Sequence, residues 1–186
     1  MKYNLEHIKN RAVGTIGFLV AIWLIFVFDR FLPLENYGLI PRSGQGMYGI
    51  VSMPFLHSDW KHILNNTWPL LVLLNILANT TRNFWQVIAS IVIGSGILLW
   101  IFGRTAIHIG ASGLVFGLIG YLLVAGLRTK ESVPLMGSAI VFSLYGGIIF
   151  SGISPLQSHV SWEGHLFGLL VGAGLGWLEQ GSGRKS

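Results

Sequence analysis

Apolar residues fall into six long blocks, at residues 12–28, 63–78, 84–102, 112–127, 133–150 and 161–178. A helix needs roughly 17–25 such residues to cross a hydrocarbon layer about 30 Å thick. Most of the blocks approach that length, the second and fourth being the shortest. The pattern predicts six transmembrane helices, an all-α polytopic membrane bundle forming a single domain over residues 1–186. The first block begins like a signal peptide, but Asp29-Arg30-Phe31 follows it with no small-residue cleavage site, so it is expected to remain as an anchor. The longest connection, residues 29–61, is broken by Pro41, Gly44, Gly46 and Pro54. Its Met47, Tyr48, Ile50, Val51, Phe55 and Leu56 suit an amphipathic element at the membrane interface.

Three of the blocks are interrupted by polar residues at one depth. Ser112 stands 16 residues before Arg128, Asn66 16 before Arg82, and His165 14 before Glu179. At a helical rise of ~1.5 Å these separations are about 24, 24 and 21 Å, so the three groups share a level some way below one membrane surface. His62 and Asn66, four residues apart, share a helix face. Gly164, Gly168, Gly172 and Gly176 form a four-residue series beside His165, and Gly113, Gly117 and Gly120 a similar groove beside Ser112. Such stripes let two helices approach closely.

Composition supports the membrane reading: 52% of residues are hydrophobic and only 10% charged, far from soluble averages. The net charge of +5 comes from 12 scattered basic residues rather than a stripe, so no nucleic-acid partner is expected. With the N terminus cytoplasmic, Lys2, Lys9, Arg11, Arg82, Arg128, Lys130, Arg184 and Lys185 fall inside and Arg30, Arg42, Lys61 and Arg104 outside. That asymmetry favours both termini in the cytoplasm. The absence of cysteine excludes a thiolate nucleophile, a disulfide or a cysteine metal site, and neither metal nor cofactor is expected.

Taken singly, the GASG segment fits small-residue packing, His62 an interfacial role and His165 a hydrogen bond to a neighbouring helix. Together they point to function, because polar and ionisable groups inside a membrane are costly. A serine hydroxyl needs a base to become a nucleophile, and histidine serves near neutral pH. Ser112 and His165 supply that pair. The Asn66 amide, the His62 ring and backbone N–H groups from Gly110 to Ser112 are candidates to stabilise an oxyanion, the Ser112 N–H among them. Glu163, two residues from His165, lies on another helix face, so the reading is a dyad rather than a triad. Proton transfer or haem binding through His62 and His165 are competing uses. The first needs a polar path across the bilayer, whereas this cluster sits near one face.

GASG around Ser112, HILNN around His62 and Asn66, and GHLFGLLVG from His165 through Gly168 and Gly172, in this order on the second, fourth and sixth blocks, resemble the rhomboid intramembrane serine proteases in their compact six-helix bacterial form. The resemblance implies Ser112 as nucleophile, His165 as general base, and His62 and Asn66 as oxyanion stabilisers. Phe116 matches an aromatic residue packed on the catalytic histidine, and His57 a supporting histidine of the outer loop. Gly110, Gly113, Gly168 and Gly172 match supporting positions. It further implies a multi-pass protein of the bacterial inner membrane whose active site opens toward the outer face. Expected partners are the lipid bilayer and single-pass or multi-pass membrane proteins, whose transmembrane segments are the substrates and enter past the fifth helix, residues 133–150, and the loop 151–160. Gly146, Gly147 and Gly152 there suit a mobile gate. The alternative is a non-proteolytic rhomboid-like protein that binds membrane helices without cutting them. In one departure, many relatives carry a Trp-Arg pair early in the outer loop where this chain reads GQGMYGIV, so the anchoring of that loop does not follow from the resemblance.

Overall fold

The computed structural model describes residues 5–129, 131–155 and 160–182. Among them the chain forms seven α-helices: α1 (Leu5–Phe28), α2 (Gly49–Ser52), α3 (Trp60–Thr80), α4 (Phe84–Phe102), α5 (Ser112–Arg128), α6 (Ser132–Gly152) and α7 (Trp162–Ser182). Apart from the short α2, each corresponds to one of the six apolar blocks. Ser161 is the exception at an edge, standing just before α7.

Exposed apolar side chains repeat along one face of α1 at Val13, Ile16, Val20, Leu24 and Val27, and along α6 at Val133, Met136, Ile140 and Leu144. Stripes of this kind are costly in water and natural against lipid. Lys9–Phe28, Phe84–Phe102 and Ser132–Gly152 are each long and apolar enough to cross a membrane, while α5 is shorter. The expectation of six spans therefore rests for α3 and α7 on their place in the bundle rather than on hydropathy. The cause is local, since α3 carries Lys61, His62, Asn65, Asn66, Thr67, Asn75, Asn79 and Thr80, and α7 is rich in glycine.

Helix α5 lies at the centre, buried continuously from Gly113 to Leu122, and packs against α3, α4, α6 and α7. Its seam with α7 is the tightest. A Cβ at Gly168 would overlap the Gly113 carbonyl oxygen, and one at Gly172 the Gly117 carbonyl oxygen. At Gly120 it would run into the Leu169 carbonyl. The two stripes seen in the sequence thus face one another, backbone on backbone, which is how helices associate where no hydrophobic effect drives them together.

Side chains tie off the helix ends. Asp59 caps α3 by accepting the His62 N–H at 2.8 Å. At the other end of α3, the Arg11 guanidinium donates to the carbonyls of Ala78 at 2.9 Å, Thr81 at 2.6 Å and Arg82 at 2.9 Å. The outer loop is likewise held by side chains. Arg42, in the left-handed region at φ 59°, donates to the Ile101 and Gly103 carbonyls at 3.1 and 2.7 Å, closing the end of α4. Trp100 Nε1 donates back to Ser43 O at 2.9 Å. This is the anchoring that the sequence left unspecified. The amphipathic element breaks into short turns over Gln45–Tyr48, Gly49–Ser52 and Met53–Phe55. Met47, Tyr48 and Val51 are exposed, whereas Met53 and Leu56 turn inward.

Candidate active site

A cavity of about 680 Å³ opens at the Ser112 end of the bundle, lined among others by His62, Asn66, Ser112, Phe116, Tyr145 and His165. The sequence had placed Ser112, Asn66 and His165 at one depth on three helices, and the fold brings all three to one wall. Pro69, also in that wall, has no N–H, so the helix bond that the Asn65 carbonyl would receive is missing beside the cavity.

Ser112 is the first residue of α5, where backbone N–H groups have no partner inside the helix. The chain turns into it through Gly110, whose φ of +108° favours glycine. A Cβ there would also strike the His62 ring. The Gly110 N–H donates to Met53 O at 2.9 Å. That removes one of the backbone groups considered for an oxyanion and leaves the N–H groups of Ala111 and Ser112 as candidates at the helix start.

His165 lies in the first turn of α7 and is buried. Its Nδ1 is 2.8 Å from Gly152 O. A carbonyl only accepts, so Nδ1 carries the proton and Nε2 holds a lone pair. Nε2 is buried and makes no hydrogen bond, Ser112 included. Catalytic contacts are often loose without substrate and tighten when it binds. Phe116, one turn along α5 from Ser112, stacks on the imidazole with ring centroids 4.2 Å apart and planes 3° from parallel.

On α3 the two amide hydrogens of Asn66 have different fates. One donates to His62 O at 3.1 Å, and the other makes no hydrogen bond, on a residue that lines the cavity. His62 is less well placed as a donor. The Ser58 hydroxyl hydrogen goes to Asp59 Oδ2 at 2.8 Å, so at the 3.3 Å contact between Ser58 Oγ and His62 Nδ1 the imidazole is the donor. In the neutral ring, Nε2 then carries no hydrogen to offer. His57 packs edge-on against His62 with centroids 4.9 Å apart. It is fully buried, and neither ring nitrogen makes a well-formed hydrogen bond. Burial first, and the neighbouring His62 second, lower its pKa to about 4, partly offset by the Phe55 backbone and the Asp59 carboxylate.

A set of contacts that the sequence reading did not single out joins the approach to Ser112 with the approach to His165. His108 Nε2 donates to Arg104 O at 3.1 Å, and Nδ1 accepts from Ser161 Oγ at 2.7 Å. Burial lowers the pKa of His108, which favours this neutral form. Arg104 pairs with Glu163 at 3.3 Å and donates to Val160 O at 2.8 Å. Glu163 is thereby directed away from His165, as its helix face required. The available sequence signal was a histidine four residues before Ser112 and opposite charges just ahead of each motif. Of the loop expected to form part of the gate, residues 156–159 lie outside the described residues. Lys2, Lys130, Arg184 and Lys185, used to assign orientation, also lie outside them.

Fold and site together define an integral membrane protein with a cavity carrying serine, histidine and asparagine side chains at one end of a helical bundle. Residues 44–181 match the Rhomboid domain, and the chain belongs to the rhomboid family. It is 33% identical to an uncharacterized protein of Mycobacterium tuberculosis, over 92% of this chain and 76% of that protein. It is 28% identical to Rhomboid-type serine protease 2 of Saccharomyces cerevisiae, over 89% of this chain and 66% of that protein. A third relative, the chloroplastic Rhomboid-like protein 11 of Arabidopsis thaliana, is 29% identical over 91% of this chain and 66% of its own length.

Proposed function

We propose that the chain is an intramembrane serine endopeptidase that cuts transmembrane segments of other membrane proteins with Ser112 and His165. The observation that carries this reading is the state of His165. Its Nδ1 proton is held by Gly152 O at 2.8 Å while its Nε2 lone pair is unengaged, in a cavity it shares with Ser112. Kinship with a yeast protein named as a serine protease supports it.

In the reaction, Ser112 Oγ attacks the scissile carbonyl carbon as its proton passes to His165 Nε2, and the carbonyl electron pair moves onto oxygen. The free Asn66 N–H and the Ser112 backbone N–H are the donors proposed to stabilise that oxyanion. Collapse breaks the C–N bond, and the Nε2 proton goes to the leaving amine. Water activated by the same nitrogen then releases the acyl group from Ser112. A membrane helix hides its peptide bonds in internal hydrogen bonds, so the substrate must be locally unwound where it is cut. The distribution of basic residues supports cytoplasmic termini and a cavity opening on the outer face of a bacterial inner membrane.

The test combines a fluorophosphonate probe with a transmembrane substrate. Native protein should be labelled at Ser112 and should cleave, while Ser112→Ala and His165→Ala, folded and membrane-inserted, should do neither. A folded native protein that binds transmembrane segments but leaves probe and substrate intact would instead be the non-proteolytic alternative.

A further inference from the structure

Gly152, the last residue of α6, touches His165 in two ways. Its carbonyl oxygen accepts from Nδ1 at 2.8 Å. Its missing side chain also leaves the space taken by the Phe116 ring, which a Cβ there would overlap. That ring is the one lying flat on the imidazole. The carbonyl is one of the last four of a helix, which have no partner within the helix and carry the negative end of its dipole. No side-chain acid takes this place, because Glu163 is paired with Arg104 at 3.3 Å.

We propose that the end of α6 is the third member of the catalytic arrangement, the Gly152 carbonyl standing where a Ser-His-Asp triad has its carboxylate, so that the position of α6 decides whether His165 can act as a base. The proposal rests on the reading of Ser112 and His165 given above. In a triad the acid fixes the histidine tautomer and stabilises the imidazolium that forms. A carbonyl at the negative end of a helix fixes the tautomer and contributes to the second effect. The consequence lies in which helix supplies it. The same half of α6 lines the cavity through Tyr145 and Ile148, and Phe142, Leu144, Ile148 and Phe150 on it are exposed. A displacement of α6 that widens the cavity also draws the carbonyl away from Nδ1. Room for substrate and an active base therefore oppose each other, and α6 must return before the bond is cut. Gly152 is a positioning residue, acting through His165.

The experiment pairs a spectroscopic readout with a kinetic one. In protein labelled with 15N-histidine, His165, assigned by its loss in His165→Gln, should show the tautomer protonated at Nδ1. Gly152→Ala, whose methyl group meets the Phe116 ring, should mix or reverse that tautomer. It should also slow probe labelling of Ser112 by about tenfold or more, in line with the cost of displacing a catalytic group by about 1 Å. In cleavage kinetics the loss should fall on kcat with KM unchanged or lower. Ser143→Ala, exposed on the same helix, should match native protein within about twofold. Phe116→Leu should cost less in the Gly152→Ala background than alone, because it relieves the overlap. The proposal is overturned if native His165 is protonated at Nε2, or if Gly152→Ala keeps both tautomer and labelling rate. A native protein unreactive toward probe and substrate would defeat the protease reading, while the tautomer spectrum would still decide where the Nδ1 proton is held.

Discussion

The seam between α5 and α7 and the Ser112-end half of α6 flank the same cavity and are built in opposite ways. Along the seam, Gly168 and Gly172 of α7 press on the Gly113 and Gly117 carbonyls and Gly120 of α5 on the Leu169 carbonyl, with no room for a methyl group at any of the three. Along α6, tight packing is interrupted between its two ends. Gly126 meets Pro134 and Ser138, and Ser138 Oγ donates to Leu123 O at 3.3 Å. Beyond that level Val141 and Tyr145 still face the core, but Gly147 faces open space and Phe142, Leu144, Ile148 and Phe150 are exposed. A dyad drawn from two helices needs a fixed distance between them, whereas a cavity that must admit a helix needs a wall that yields. Under the proposed function, the difference in packing would separate those two demands.

The largest effect should come from breaking the rigid side. Gly168→Val places a branched side chain against the Gly113 carbonyl and the Gly117 N–H, and overpacking of that kind costs about 1–3 kcal/mol or more. Because the strain also moves His165 relative to Ser112, cleavage should fall by on the order of 10²-fold, and melting in detergent should fall with it. Gly174→Val, where a Cβ meets nothing within 4 Å, should keep most of both. Equal, near-native behaviour of the two variants would show that close helix packing is not what positions the histidine.

The proposed oxyanion groups on α3 come next, since their loss should reach the rate but not the stability. Removal of one donor typically costs about 10²–10³ in rate, less where donors are redundant. Asn66 keeps an N–H free, whereas neutral His62 spends its hydrogen on Ser58. Asn66→Ala should therefore slow turnover more than His62→Ala at neutral pH, with little change in KM for either. A main effect on KM would assign both residues to substrate binding instead.

How much of this was legible beforehand follows the same division. Glycines spaced by four and a histidine beside them are side-chain signals with a fixed helical period, so the α5–α7 seam and the shared depth of Ser112, Asn66 and His165 could be read from the chain. The hold of Gly152 on His165 could not, because a backbone carbonyl leaves no mark in a sequence. The clasp of His108 and Arg104 with Ser161 and Glu163 spans 53–59 residues between loops that have no period. Arg42 reaches the end of α4 from a left-handed turn that no composition rule requires of an arginine. Hydropathy, for its part, does not mark α3 and α7 as spans, because their polar and small residues dilute the apolar signal.

The fold as a whole should also have a limit in acid, through His57 beside α3. Its folded pKa of about 4 lies below the ordinary value of 6.5, so on acidification the unfolded chain takes up this proton first. The contribution is complete above about pH 6.5 and is lost as pH falls toward 4, reaching on the order of 3 kcal/mol at the limit. Melting in detergent should drop over that window, and His57→Phe should flatten the drop. An unchanged slope would mean that His57 is not buried in its neutral form.

The smallest effect is the most direct test of the contrast, because one substitution should act with opposite sign on its two sides. Replacing glycine by alanine where the backbone is compatible and space is open stabilises a chain by about 0.4–1 kcal/mol, mainly by restricting the unfolded state. Gly147, helical and facing nothing within 4 Å, meets both conditions. Gly168 fails the second, since even a methyl group overlaps a carbonyl. Gly147→Ala should therefore raise the melting temperature by a few degrees, and Gly168→Ala should lower it. If α6 must bend to admit a helix, the stiffer Gly147→Ala should cleave a transmembrane substrate about twofold more slowly, while a small fluorophosphonate labels Ser112 at the native rate. A slower reaction with the small probe as well would mean that residue 147 acts on the dyad rather than on access. A fall in melting temperature would mean that this half of α6 is packed after all, and that the cavity opens elsewhere.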